Sequence, residues 1–194
     1  MGLWYLGLSV LSNPRAFSAR DRHAEGRKLV RRLDSGKAGS GKIGLSARGR
    51  PYFLDGHGDF SISHSRRLVG AAYFRGKVSS PAERGKIGFD VEYIHPKKSR
   101  QALADRFFAP EEGEYISAGA SEEEKLLRFY RLWVLKESFL KLQGLSVLDL
   151  PGLPSFSEAG NLKNKIAGIH FGCFEIRLSS KERYLAAYSL ALED

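Results

Sequence analysis

Apolar and polar residues alternate through KIGFDVEYI, residues 86–94. Ile87, Phe89, Val91 and Tyr93 fall on one side, and Gly88, Asp90, Glu92 and Ile94 on the other. A period of two predicts a β-strand with one apolar and one mixed face. The mixed face carries two carboxylates, Asp90 and Glu92, which repel unless water or a cation separates them. DFSISHS (59–65) and LVGAAYF (68–74) read as a strand pair, and GCFEIRLSS (172–180) and RYLAAYSLAL (183–192) as a second hairpin. The opening MGLWYLGLSV reads as a first strand and not a signal peptide, because no basic residue precedes the apolar run and no A-x-A-like site follows it.

Helical spacing appears in two main places. DRHAEGRKLVRRL (21–33) sets Leu29, Val30 and Leu33 on a very basic helix. SEEEKLLRFYRLWVLKESFLKLQG (121–144) is the clearest helix, with Ser121 as N-cap, Glu124 completing a capping box and Gly144 at the C-terminal stop. Leu126, Leu127, Tyr130, Val134, Phe139 and Leu142 supply its apolar contacts. A further helix is predicted over KKSRQALADRFF, with Pro110 stopping or restarting it. Residues 34–51 are glycine-rich and read as turns without a P-loop pattern, and residues 79–86 read as a turn cluster. LVGAAYF resembles RYLAAYSL, each after a basic turn. If that repeat reflects structure, the chain is two similar α/β halves.

Composition narrows the picture. The 194 residues are 42% hydrophobic, enough for a packed core. No apolar run reaches the ~18 residues of a membrane span. Leu6 stands where a myristoylation signal needs Ser or Thr. Cys173 is the only cysteine, which excludes a disulfide within the chain and argues against a thiolate metal site. A cytoplasmic protein is the default expectation. The formal net charge of +9 favours anionic partners: nucleic acid, a phosphorylated cofactor or an acidic protein.

Glu137 and Lys141 are four apart on the long helix, with Trp133 one turn earlier. Alone they read as a surface ion pair worth about 0.3–0.5 kcal/mol. With Asp90 and Glu92 they suggest a Mg²⁺ site with a phosphate clamp, hard oxygen ligands for a hard cation. A lone histidine such as His64 reads first as half-buried and bonded to a hydroxyl. The histidines at 23, 57, 95 and 170 lack H-x-x-x-H spacing, which argues against zinc. A Mg²⁺-dependent nuclease is an alternative, although there the acid and lysine stand two apart on a strand. A non-catalytic nucleic-acid-binding domain is another, using some of the 12 Phe, 8 Tyr and 2 Trp for stacking, although the aromatics fall mostly in apolar periodic segments.

Four separated stretches, GRPYF…DFSISHS, IGFDVEYI, RFFAPEE and FYRLWVLKESFLKLQGLS, resemble in order and spacing the Sfp-type 4′-phosphopantetheinyl transferases. The family patterns are G-[KR]-P then F-[NS]-[LIV]-S-H-[ST], G-[IV]-D-[VIL]-E, R-F-F-x-x-x-E and W-[STC]-x-K-E-[SA]-x-x-K. The resemblance covers roughly residues 48–148. It implies an α+β fold of two similar halves in pseudo-two-fold arrangement, residues 1–85 on the coenzyme A side and 86–194 with the metal site and long helix. It implies transfer of 4′-phosphopantetheine from coenzyme A to a serine of an apo acyl, polyketide or peptidyl carrier protein, by a monomer and without nucleic acid or membrane.

Residue by residue, Asp90, Glu92 and Glu137 match the Mg²⁺ ligands and Lys141 the lysine near the reacting pyrophosphate. His64 with Ser63 matches the coenzyme A contact at the 3′-phosphate end. Arg50 matches the basic residue of the G-[KR]-P step, with Arg48 a helper and Arg22 a further basic contact. Glu137, directly or through a metal-bound water, is the candidate base for the serine hydroxyl. Val134 departs from the family's Ser, Thr or Cys and removes a hydrogen bond expected beside the catalytic face. The segment before Asp21 is short, with only Pro14–Arg15 and Arg20 in place of a longer basic stretch. Arg128, Arg131 and Lys136 are the expected basic contacts to an acidic carrier.

Overall fold

The structure is a computed structural model and describes residues 3–12, 18–34, 41–78, 86–95 and 100–191. The first part runs β1 (Leu3–Val10), α1 (Ala19–Asp34), β2 (Ile43–Leu45), β3 (Pro51–Phe53), β4 (Gly58–Ser65) and β5 (Leu68–Arg75). β5 is the centre of an antiparallel sheet of order β1-β5-β4. Its uninterrupted LVGAAYF is buried throughout, as a strand covered on both faces must be. α1 turns Leu29 and Val30 onto one face of this sheet, against Phe53, Phe60, Val69, Ala71 and Tyr73.

The second part runs β6 (Ile87–Tyr93), α2 (Gln101–Phe107), α3 (Pro110–Ser117), α4 (Glu122–Gln143), β7 (Ser157–Glu158), β8 (Asn161–Leu162), β9 (Lys165–Ile166), β10 (Ile169–Ser179) and β11 (Glu182–Ala191). Its main sheet has the order β6-β11-β10-β9, antiparallel throughout. α4 begins at Ser121, whose hydroxyl accepts the Glu124 N–H, and ends at Gly144 in the left-handed region, φ 67°. Its side chains Leu132, Val134, Leu135 and Leu142 are buried with Phe156, Phe171, Leu185 and Ala187. Pro110 restarts the chain as the first residue of α3.

Two features go beyond the sequence reading. Beside the clusters under α1 and α4, a third joins the two sheets, with Leu68, Ala72 and Phe74 packed on Ile87, Phe89, Val91, Tyr184, Ala186 and Leu190. β11 serves two clusters at once, Tyr184, Ala186 and Leu190 pointing to this one, and Leu185 and Ala187 to the α4 side. The glycine-rich stretch 34–51 contains the β2–β3 pairing as well as turns, because Ile43 and Leu45 find Phe53 and Pro51 opposite them. Residues 35–40, and 79–85 of the turn cluster, lie outside the described residues. No helix among the described residues is long and apolar enough to cross a membrane.

Candidate active site

α4 lies directly on β6, and Gly88 is what lets it. A Cβ at this position would sit 1.9 Å from the Ser138 carbonyl oxygen and 2.8 Å from the Leu142 nitrogen, so only hydrogen fits. Ser138 Oγ also meets Ser189 Oγ of β11 at 2.7 Å. The same mixed strand face, one and two pleats further on, therefore brings Asp90 and Glu92 under the Glu137–Lys141 face of the helix.

Lys141 Nζ donates to Asp90 Oδ1 at 2.7 Å, and Ser63 Oγ donates to the same oxygen at 2.7 Å. Asp90 Oδ2 is buried with no hydrogen-bond partner among the described residues. Ser65 Oγ donates to Glu92 Oε2 at 2.9 Å. Burial, and then the negative charge of Asp90, push the Glu137 carboxyl up to about 7 against the pull of Lys141. Burial and Asp90 likewise push Glu92 up to about 7; the Ser65 hydroxyl and Lys141 oppose this and Glu137 adds to it. The three carboxylates thus share one electrostatic neighbourhood with a single ammonium group among them. Among the described residues no three His, Cys, Asp or Glu side chains form a ready-made metal cage. The donor set still fits a hard divalent cation: all its atoms are carboxylate oxygens, their charge is under-compensated, and Asp90 Oδ2 is a buried acceptor without a donor.

Lys141 also lines a cavity of ≈ 370 Å³ between α1, the β2–β3 hairpin, β4 and the C-terminal end of α4. His23, Arg27, Arg48 and Arg50 share its wall with the apolar Ile43, Leu45, Phe60, Ile62 and Leu145. Basic groups beside apolar walls suit a ligand that is anionic at one part and flat or apolar at another. His64 is half-buried and sits edge-on to His23, ring centroids 5.2 Å apart. Burial, followed by the nearby His23, Arg22 and Lys141, holds its imidazole below the usual range. Arg22, His64 and Lys141 therefore belong to one basic neighbourhood.

The remaining expected residues are placed less simply. Ser63 is buried and bonded to Asp90, while its neighbour His64 points to the other face of β4. Arg50 lines the cavity from within the wall: its guanidinium gives both Asp59 oxygens a hydrogen bond of 2.6 Å, and its Nε donates to the Lys141 carbonyl at 3.0 Å. Arg48 is exposed and bridges to Asp149 at 3.2 Å.

One expectation is corrected. Lys136 is not a surface contact: it is 1% exposed and donates to Glu112 at 2.5 Å. Glu112 also accepts the N–H groups of Ala109 and Phe156 and is itself fully buried. Val134 is fully buried among apolar side chains, where a hydroxyl would need a partner. Arg128 is engaged by Glu124 and the Tyr115 carbonyl. His23 and Arg27 were passed over in the sequence, though their spacing of four on a basic helix sets them on one face.

Comparison with known proteins agrees with this architecture. The family model of the 4′-phosphopantetheinyl transferase superfamily matches residues 86–191. The chain is 32% identical over 141 residues, 68% of its length and 55% of the relative's, to the 4′-phosphopantetheinyl transferase HetI of a Nostoc species. It is 32% identical over 159 residues, 78% of this chain and 64% of the relative, to a Bacillus subtilis 4′-phosphopantetheinyl transferase. With the Bacillus subtilis 4′-phosphopantetheinyl transferase Sfp it shares 35% over 128 residues, 64% of this chain and 50% of that one. The matches thus span between 50% and 64% of the length of these relatives. The strand that carries Asp90 and Glu92, the helix that carries Glu137 and Lys141, and the sheet that supports both all lie inside the matched segment, and the chain belongs to the 4′-phosphopantetheinyl transferase superfamily.

Proposed function

We propose that this protein transfers the 4′-phosphopantetheine group of coenzyme A to a serine of an apo acyl, polyketide or peptidyl carrier protein, acting as a cytoplasmic monomer. The observation that carries the reading is the position of Lys141, on the wall of a basic, partly apolar cavity and bonded to Asp90 in the carboxylate cluster. A phosphorylated nucleotide in the cavity would present its pyrophosphate to Lys141, with Arg22, Arg48 and His64 toward its phosphate end. Arg50 would brace the wall on which the nucleotide lies. The two sheets, each the partner of one long helix, support the pseudo-two-fold reading with halves 1–85 and 86–194: the orders β1-β5-β4 and β6-β11-β10 correspond strand for strand.

In the transfer, the carrier serine oxygen forms a bond to the phosphorus that carries pantetheine, and the bond from that phosphorus to the bridging oxygen breaks. Adenosine 3′,5′-bisphosphate leaves with that oxygen and the electron pair. Glu137, beside Lys141 on the helix face over Asp90, accepts the serine proton. Lys141 offsets negative charge on the leaving phosphate. Asp90, Glu92 and Glu137 would hold Mg²⁺, which when bound supplies further neutralisation of the pyrophosphate oxygens. The test is mass spectrometry of several apo carriers incubated with the protein, coenzyme A and Mg²⁺. A gain of one phosphopantetheine on a carrier serine is expected; unchanged mass across acyl, polyketide and peptidyl carriers overturns the reading.

A further inference from the structure

β4 and β6 belong to different sheets, yet they run side by side in parallel register. β6 pairs with β11 on one edge, so every second N–H of its other edge needs an acceptor elsewhere. β4 answers with side chains. Asp59 Oδ2 accepts the N–H groups of Lys86 (2.6 Å) and Ile87 (3.0 Å). Ser61 Oγ accepts Phe89 N–H at 3.0 Å, Ser63 Oγ accepts Val91 N–H at 3.3 Å, and Ser65 Oγ accepts Tyr93 N–H at 3.0 Å. The alternation of DFSISHS is thus a row of acceptors that closes an otherwise open sheet edge.

A hydroxyl that accepts one hydrogen bond still has a proton to direct. Ser61 directs it to the Phe89 carbonyl at 3.4 Å. Ser63 and Ser65 direct theirs to Asp90 Oδ1 at 2.7 Å and Glu92 Oε2 at 2.9 Å. Each of these hydroxyl oxygens is fixed by the strand backbone, so each fixes the carboxylate that it touches. We propose that Ser63 and Ser65 are positioning residues that aim Asp90 and Glu92 at the cation, with the backbone of β6 as their reference frame. The inference rests on the proposed cation site, and it gives Ser63 a different task from coenzyme A contact.

Ser61 supplies the control, since it occupies the same place in the row and touches no carboxylate. Mg²⁺ affinity is measured by calorimetry, the Michaelis constants for Mg²⁺ and coenzyme A by kinetics, and stability by thermal melting, for Ser65→Ala, Ser65→Thr and Ser61→Ala. Ser65→Ala is expected to weaken Mg²⁺ binding by about 10-fold or more, within the range for partners of metal ligands, with the coenzyme A constant unmoved. Ser65→Thr keeps the hydroxyl and restores affinity. Ser61→Ala lowers the melting temperature as Ser65→Ala does but keeps wild-type Mg²⁺ affinity. If Ser65→Ala does not fold, Ser63→Ala carries the same comparison. Wild-type affinity in the folded Ser65 or Ser63 variant overturns the proposal, as does an equal loss in Ser61→Ala. A wild-type protein that binds no Mg²⁺ overturns both this and the cation site. Mg²⁺ binding that responds to Ser65 without any carrier modification overturns the transfer reading alone.

Discussion

Gly88→Ala is a single methyl group placed between β6 and α4. The added carbon would stand 1.9 Å from the Ser138 carbonyl oxygen, where real Cβ atoms keep at least 3.0 Å, so strand and helix must separate by about 1.1 Å. The obstacle is helix backbone and cannot rotate away, and Ser138 is itself held to Ser189. Glu137 and Lys141 flank Ser138 on the same helix, so the separation opens directly between them and Asp90. Misplacement by about 1 Å lowers rate by about 10²-fold, or about 2.7 kcal/mol of transition-state stabilisation. Overpacking adds about 1–3 kcal/mol of destabilisation, which for a chain of this size lowers the melting temperature by about 2–12 °C. Gly113→Ala is the matched control, because a Cβ there meets nothing within 4 Å in the middle of α3. It should leave transfer intact and stabilise slightly. The assay is steady-state kcat/KM with an apo carrier, beside thermal melts of both variants. A folded Gly88→Ala protein with kcat/KM within about threefold of wild type would refute the idea that close approach of α4 sets the site.

Three further outcomes are expected. Lys136→Met strands the fully buried Glu112 without its counter-charge and should destabilise by about 3–5 kcal/mol at pH 7; adding Glu112→Gln should recover part of it, and a double variant as unstable as the single one in urea unfolding contradicts the assignment. Glu92 and Glu137 hold protons up to about 7 in the fold against 4.5 ordinarily, so the folded protein binds more protons between those values; their contribution to metal-free stability is therefore most favourable below about pH 4.5 and is lost as pH rises through 7. Melting temperatures in chelator at pH 6 and 8 check this against Glu92→Gln/Glu137→Gln, which should flatten the pH slope, and Mg²⁺ should stabilise wild type more at pH 8. His64→Ala should lose most of the preference for coenzyme A over its dephospho form, measured as a ratio of kcat/KM; an unchanged ratio removes His64 from the phosphate end.

The strands and the long helix were legible because each announces itself locally. Alternation marked β4 and β6, and Ser121 with Gly144 bounded α4 to within a residue. Asp90 and Glu92 stood out because two acids on one strand face need a reason, and Glu137 and Lys141 because a spacing of four defines a helix face. What escaped depends on partners distant in sequence. Lys136 looks solvated until Glu112, on another helix, is placed against it. Val134 shares a helix face with Glu137 and Lys141, and its full burial among apolar side chains shows only once the sheet is placed against it. The polar row of β4 reads as an ordinary solvent face, since nothing local says that another sheet's edge lies there. Arg50 stands out as the basic residue before Pro51, but its pairing with the buried Asp59 is not legible in the sequence.

β11 has a consequence for how the molecule is assembled. Its two faces complete two different hydrophobic clusters, and its edge pairs β6 through contacts such as Tyr184 with Tyr93. Pairing β6 with β11 closes a loop across the whole span of α2, α3, α4 and β10. Contacts so distant in sequence carry a loop-closure cost and raise contact order, which slows folding relative to a helical bundle of the same length.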